Sequence, residues 1–202
     1  MSLRNLLIAI FALALSGCAN SPPKSVESAC SILSEKRNWY KASRKVEKKY
    51  SLPIHVQLAI IRQESSFRHN AAPPKKTLLG IPLWWRISSA YGFAQAKDET
   101  WEWYMEKTGN WGADRDNYGD AVDFIGWYSS VSQRTLGISK WDAFSQYLAY
   151  HEGHTGYKNN TYKGKPWLVS VAKKVESYSS TYAAQLAGCR NKLKSSAWWW
   201  PF

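Results

Sequence analysis

Two cysteines, Cys30 and Cys189, bracket nearly everything in this 202-residue chain that has the pattern of a folded domain. The chain is long enough for one domain with a real core, and the pair sits near the two ends of it. A bridge between them would close a loop of about 160 residues, worth roughly 5 kcal/mol on the chain-entropy model. The alternative is two unpaired thiols. An even pair is a disulfide candidate when a chain is exported, so the reading turns on the segment before them. Neither cysteine has metal-ligand spacing, and the four histidines do not cluster like a zinc site. No metal and no cofactor are expected.

The segment at the start reads as an export signal. Arg4 supplies a short positive region, and Leu6 to Leu15 is an apolar run of ten residues. That is too short for a transmembrane helix, which needs roughly 17–25 residues. It ends in Leu15-Ser16-Gly17-Cys18, which resembles a bacterial lipobox. The resemblance implies a signal peptide over 1–17, cleavage before Cys18 and lipidation of that cysteine. The membrane is then a partner through the acyl chains, since several chains at about 0.8 kcal/mol per buried methylene make a stable anchor. Ala19, in place of Asp, resembles an outer-membrane address, so the expected location is periplasmic and lipid-anchored. An ordinary secretion signal with an incidental cysteine is the alternative; both export the chain.

Lysine and arginine number 27 against 15 acidic residues, a net charge of +12. A basic exported chain suits an anionic partner. Export argues against nucleic acid. Carboxylates of wall peptides and the anionic outer-membrane surface both remain, and charge selects neither. Twelve tryptophans and twelve tyrosines suit both core packing and contact with the C–H faces of sugars.

The organisation predicted is a mainly α-helical single domain without repeats. Residues 19–29 are polar, with Pro22-Pro23, and a tether is drawn over 18–34. Trp39, Val46 and Tyr50 mark one face of a helix over 35–50. Ser51 is a candidate cap and Pro53 suits the first turn of the next helix. Ile54, Leu58 and Ile61 continue that helix to Glu64–Ser66 at helical spacing. Residues 70–90 are broken by proline and glycine and hold Leu83-Trp84-Trp85, so a loop or small hairpin is expected. Asp98 is a candidate cap for a helix to Lys107, with Gly109 beyond it. A helix over 119–136 stops at Gly137. Ser139 is a candidate cap for the next, with Trp141, Phe144 and Leu148 inward, and Gly153 and Gly156 open a polar loop. Pro166 starts the last helix, with Leu168, Val171, Ala172 and Val175 inward, running towards Cys189. The tail over 191–202 carries Trp198-Trp199-Trp200-Pro201-Phe202. It could lie at a membrane interface, dock on a partner, or fold back.

Three short segments go beyond a generic helical domain. They are Gln63-Glu64-Ser65-Ser66-Phe67, then Ser89-Ala90-Tyr91-Gly92-Phe93-Ala94-Gln95, then Tyr147-Leu148-Ala149-Tyr150-His151-Glu152-Gly153. In this order they resemble the soluble-lytic-transglycosylase family of the lysozyme-like superfamily, whose motifs read Glu-Ser-x-Phe, Gly-Leu-Met-Gln and Ala-Tyr-Asn-x-Gly. The resemblance covers about residues 38–180 and implies an SLT-like catalytic domain, drawn over 35–190. The fold expected is a lysozyme-like helical domain with an irregular loop or small hairpin inserted near the active-site cleft. Three departures stand out. Ala94 replaces Met, His151 replaces Asn, and an insertion holding Trp84-Trp85 lengthens the step from Glu64 to Gly92.

What the resemblance implies chemically is cleavage of peptidoglycan glycan strands at the MurNAc–GlcNAc β-1,4 bond. Such cleavage requires a protonated carboxyl at the leaving oxygen, and Glu64 is the candidate, with burial raising its pKa. No second carboxylate is evident in the sequence. Asp98 and Glu99 read better as a helix N-terminus. That absence fits substrate assistance: the sugar's acetamido group stabilises the cation, and the same glutamate then takes a proton from the 6-hydroxyl to leave a 1,6-anhydroMurNAc end. The resemblance also implies substrate contacts from Ser65, Gly92, Phe93, Gln95 and Tyr150, with His151 in the place of an amide. Trp84 and Trp85 are candidates for a lid or sugar platform, against core packing. Two alternatives stay open. One is a muramidase using water, and the other a non-catalytic peptidoglycan-binding envelope lipoprotein. An envelope or secretion-machine protein is a further candidate partner.

Overall fold

The computed structural model describes residues 21–78 and 81–195, with backbone alone for 76–78 and 81–85. The export signal, Cys18 and the tryptophan-rich tail over 196–202 lie outside the described residues. The architecture is mainly α, as the resemblance implies. Among the described residues seven α-helices run in the order α1 (Ala29–Glu35), α2 (Arg37–Tyr50), α3 (Ile54–Ser65), α4 (Asp98–Thr108), α5 (Tyr118–Leu136), α6 (Ala143–Lys158) and α7 (Pro166–Ser195). A two-stranded antiparallel hairpin, β1 (Lys75–Leu78) and β2 (Ile81–Arg86), stands between α3 and α4.

Helix α3 is the axis of the domain. Its Ile54, Val56, Leu58, Ala59, Ile60 and Ile61 are all buried, so it is apolar around most of its circumference, as a central helix must be. The amide nitrogen of buried Gln57 donates to the carbonyls of Ser43 and Leu52 at 3.2 and 2.8 Å. Helix α2 buries Trp39, Tyr40, Ser43 and Val46 on one stripe and turns its basic residues outward. Trp39 stacks flat on Tyr118 at 4.2 Å, and the edge of Phe93 meets both rings. Helices α2 and α5 approach closely because Gly126 lacks a side chain. A Cβ there would stand 2.6 Å from Val46 and from Tyr50.

The ends of the chain meet. Cys30 and Cys189 are joined by a disulfide, with Cα atoms 6.1 Å apart. Residues 29–34, assigned by sequence to the tether, form α1 together with Glu35, and its Ala29, Ile32 and Leu33 are fully buried. Three apolar side chains against α7 outweigh the polar composition around them. At the other end the final helix continues past residue 190, because Leu193 is still buried.

Several boundaries differ from the sequence reading for local reasons. Ser51 does not cap α3; it closes α2 in a left-handed conformation (φ 57°), and Pro53 precedes α3 as its cap. Asp98 is the first residue of α4 and not its cap, and it pairs with Arg115 at 2.7 Å. Asp142, in place of Ser139, caps α6 by accepting from the Ser145 amide at 2.9 Å. Trp141 therefore precedes the helix and is 70% exposed. Gly153 kinks α6 (φ 74°) without ending it, so the helix persists to Lys158. Gly109 and Gly137 do end α4 and α5 in left-handed conformations, as their positions predict.

Candidate active site

Glu64 sits in the last turn of α3, and the residues after it explain why the helix stops there. Ser66 and Phe67 are both left-handed, at φ 50° and 61°. For non-glycine residues this costs about 1 kcal/mol or more each, so something must hold the turn. Phe67 does so. It is completely buried and stacks on Trp39 at 5.9 Å. In Glu-Ser-x-Phe the phenylalanine is the anchor and the glutamate is what it positions.

The Glu64 carboxyl opens into a cleft of about 450 Å³. One side is the loop from Ser88 to Lys97 and the first turn of α4, through Gln95, Glu99 and Thr100. The other is an aromatic wall from α5 and α6, made by Phe124, Tyr128 and Tyr150. Tyr150 meets Tyr128 and Phe124 edge-on at 5.3 and 6.1 Å. His151, Glu152 and Gly153 complete the rim.

Two acidic side chains of this cleft sit in opposite environments. Burial raises the Glu64 carboxyl to about 7, and the Tyr147 hydroxyl, donating to it, pulls slightly the other way. Burial first, and the Glu64 charge second, raise the pKa values of Tyr147 and Tyr150. Both phenols therefore stay protonated as donors. Glu152 is held down to about 2, chiefly by Lys165 and then by Thr161. Its oxygens accept from Lys165 Nζ at 2.8 and 3.0 Å, from the Thr161 hydroxyl and from His151 Nδ1 at 3.4 Å. Among the described residues no group of His, Cys, Asp and Glu is arranged to hold a metal ion.

The residues singled out by sequence divide into two groups. Gln95, Tyr150 and His151 line the cleft with Glu64. Gln95 is left-handed (φ 49°), and its amide nitrogen donates to the carbonyls of Ala71 and Gly92 at 2.8 and 2.9 Å. That fixes the side chain across the loop. Tyr150 donates to the Ala94 carbonyl at 2.5 Å, so its proton is engaged by backbone. Ser65, Gly92 and Phe93 do not line the cleft. Ser65 is buried and donates back to the Ile61 carbonyl at 3.2 Å. Phe93 is completely buried beside Trp39 and Tyr118. Gly92 is required by packing. At φ 77°, a Cβ would stand 2.0 Å from the Arg115 carbonyl oxygen. Trp84 and Trp85 belong to β2, and their side chains lie outside the described residues.

Two cleft features escaped the sequence reading. Tyr147 lies within the third segment without being singled out by the sequence; it is only 3% exposed and donates to Glu64. Its helical spacing from Tyr150 puts the two on one side of α6 but does not say that this side faces Glu64. Glu99 is in the first turn of α4, as expected, and lines the cleft as well.

A family model described as "Transglycosylase SLT domain" matches residues 6–189 of the chain. No curated protein and no solved structure matches it.

Proposed function

The chain belongs to the transglycosylase SLT domain family, and from that premise we propose that it is a peptidoglycan lytic transglycosylase with Glu64 as its one acid/base. The observation that carries this is the state of Glu64. It is a carboxyl in a sugar-sized cleft, raised to about 7 by burial, with a neutral phenol as its hydrogen-bond partner. A group poised near neutrality is protonated often enough to give a proton and ionised easily enough to take one back.

In the proposed reaction Glu64 protonates the glycosidic oxygen of the MurNAc–GlcNAc β-1,4 bond. The substrate's acetamido group stabilises the developing cation. The Glu64 carboxylate, now accepting from Tyr147, then takes the proton of the 6-hydroxyl as that oxygen closes on the anomeric carbon. The products are a free GlcNAc hydroxyl and a 1,6-anhydroMurNAc end, with no water consumed. Glu152 stays ionised throughout, paired with the Lys165 ammonium. Its oxygens are already engaged, so it does not serve as a base. Gln95, Tyr150 and His151 shape the cleft, while Ser65, Gly92 and Phe93 act through the backbone that carries it. The chain is exported and acylated at Cys18, on the sequence reading above, and no helix of the described residues is long and apolar enough to cross a membrane.

Glu99 supports a second reading. It is an exposed carboxylate in the same cleft, placed to activate water in a muramidase. Mass spectrometry of digested sacculi separates the two. Anhydro ends that vanish in Glu64→Gln and persist in Glu99→Gln are expected. Reducing ends that depend on Glu99 would replace the transglycosylase reading with hydrolysis. No release by the unaltered chain, with binding retained, would favour a non-catalytic wall-binding protein.

A further inference from the structure

The side of the domain turned away from the cleft carries a concentrated positive face. Lys41, Arg44, Lys45 and Lys48 of α2 and Lys194 of α7 line one shallow concavity floored by Tyr40. The four α2 residues follow helical spacing, so they share one side of the helix. Lys41, Lys45, Lys48 and Lys194 are exposed and make no ion pair with a described residue. The nearby acid, Glu47, is shared between Arg44 and Arg190. Tyr40 is 6% exposed, and its hydroxyl has no hydrogen-bond partner among the described residues.

The placement of this face is as informative as its charge. Val46 and Tyr50, on the opposite side of α2, pack against Gly126 of α5. Phe124 and Tyr128 of α5 look into the cleft. Helix α5 thus lies between the basic face and the cleft, and a glycan strand seated at Glu64 leaves the basic face uncovered. Only Ser195, Ser196 and Ala197 separate Lys194 from Trp198-Trp199-Trp200. Lysines followed closely in sequence by indoles match the two layers of a membrane surface: ammonium groups meet anionic phosphates, and indole rings favour the headgroup boundary.

We propose that this face docks the domain on an anionic phospholipid bilayer, with the cleft turned towards the wall. A surface built to hold the wall would be expected on the cleft side, which is why lipid is favoured over glycan or its peptides. The docking does not depend on acylation at Cys18.

The test uses residues 19–202, which keep the whole described fold and omit both the apolar segment and Cys18. Co-sedimentation is measured with vesicles of phosphatidylethanolamine and phosphatidylglycerol, and with phosphatidylcholine alone. Binding to the anionic vesicles only, weakening as salt rises, is expected. Lys41→Glu/Lys45→Glu/Lys48→Glu should weaken it by more than about tenfold while cleavage of suspended sacculi is unchanged. Replacing the three tryptophans by alanine should weaken it less. Circular dichroism checks that each variant is folded. Unchanged vesicle binding by the charge-reversed variant would overturn the proposal, as would equal binding to neutral lipid. Loss of sacculus affinity without any vesicle binding would also overturn it and make the face a wall-binding surface. None of these outcomes bears on the Glu64 chemistry, which Glu64→Gln tests separately.

Discussion

Glu64 and Glu152 line the same cleft and are chemically the same group, yet one is pushed up to about 7 and the other down to about 2. The difference is entirely in what surrounds them. Glu64 has burial and a neutral phenol. No cation of the described residues offsets that burial, so the charged form is penalised. Glu152 has the Lys165 ammonium at 2.8 Å, a threonine hydroxyl and an imidazole. The side chain is only 3% exposed, but its charge is fully answered. A cleft that holds both a proton donor and a fixed anion obtains them by placing one lysine beside one glutamate and not the other.

The sharpest break of this contrast is Glu64→Gln, which keeps the shape and removes the proton. Release of anhydro products from sacculi should fall by about a thousandfold or more, within the range of general acid–base contributions. The same variant tests the cost of holding a raised carboxyl. The folded-state pKa is about 7 against the ordinary value of 4.5. Between those values the unfolded chain loses its proton while the folded chain keeps it. Stability therefore falls as pH rises through that window. Above pH 7 the unaltered protein should be less stable than Glu64→Gln by on the order of 2–3 kcal/mol, and near pH 4 the two should differ much less. Thermal melts at both pH values decide it. Equal offsets would mean that folding does not raise the Glu64 pKa.

A smaller effect is expected from Tyr147→Phe. The hydroxyl donates to the Glu64 carboxylate and favours the charged form. Without it the Glu64 pKa rises further, the acidic form persists to higher pH, and the base step is handicapped. The rate should fall by about tenfold and the pH optimum should move alkaline. An optimum that stays in place while the rate drops would assign Tyr147 to packing alone.

How much of this could be read from the sequence follows how local each cause is. Glu64, its helix and the residue that anchors it lie within four positions of one another, and the Glu-Ser-x-Phe pattern exposes them together. The ends of α4 and α5 were legible because Gly109 and Gly137 act at the turn they terminate. Tyr147 was not legible as a cleft residue. Its contact with Glu64 crosses from α6 to α3, and sequence spacing within one helix says nothing about the facing one. The inward turn of Ser65 and Phe93 was hidden for a related reason. A motif marks where a site is, but not which of its members hold the backbone and which meet the substrate. α1 was missed because seven residues with three apolar side chains carry too little periodicity. The Ser28 cap, the disulfide and the contact with α7 make them a helix in the core.

The weakest perturbation sharpens the Glu152 half of the comparison. In Lys165→Met the largest cause of the depressed pKa is removed, leaving the Thr161 hydroxyl and His151. The Glu152 pKa should climb back towards the ordinary carboxylate range. The sign is opposite to that of Glu64. A depressed carboxyl adds stability that is fully present above its unfolded value and is lost as pH falls through the folded one. The unaltered protein should therefore lose this contribution between about pH 4.5 and 2. The variant should show little such loss, because it lacks most of the contribution at every pH. At neutral pH the deficit should be about 1 kcal/mol, since the Lys165 side chain is 43% exposed and its field is screened by water. The variant's Glu152 is then a nearly buried carboxylate with weaker compensation, which moves it towards the condition of Glu64. NMR titration of the two carboxyl groups reads this directly. Convergence of their pKa values in Lys165→Met is the expected result. A Glu152 that still titrates near 2 without the lysine would mean that Thr161 and His151 hold the anion, and that the ammonium only covers it.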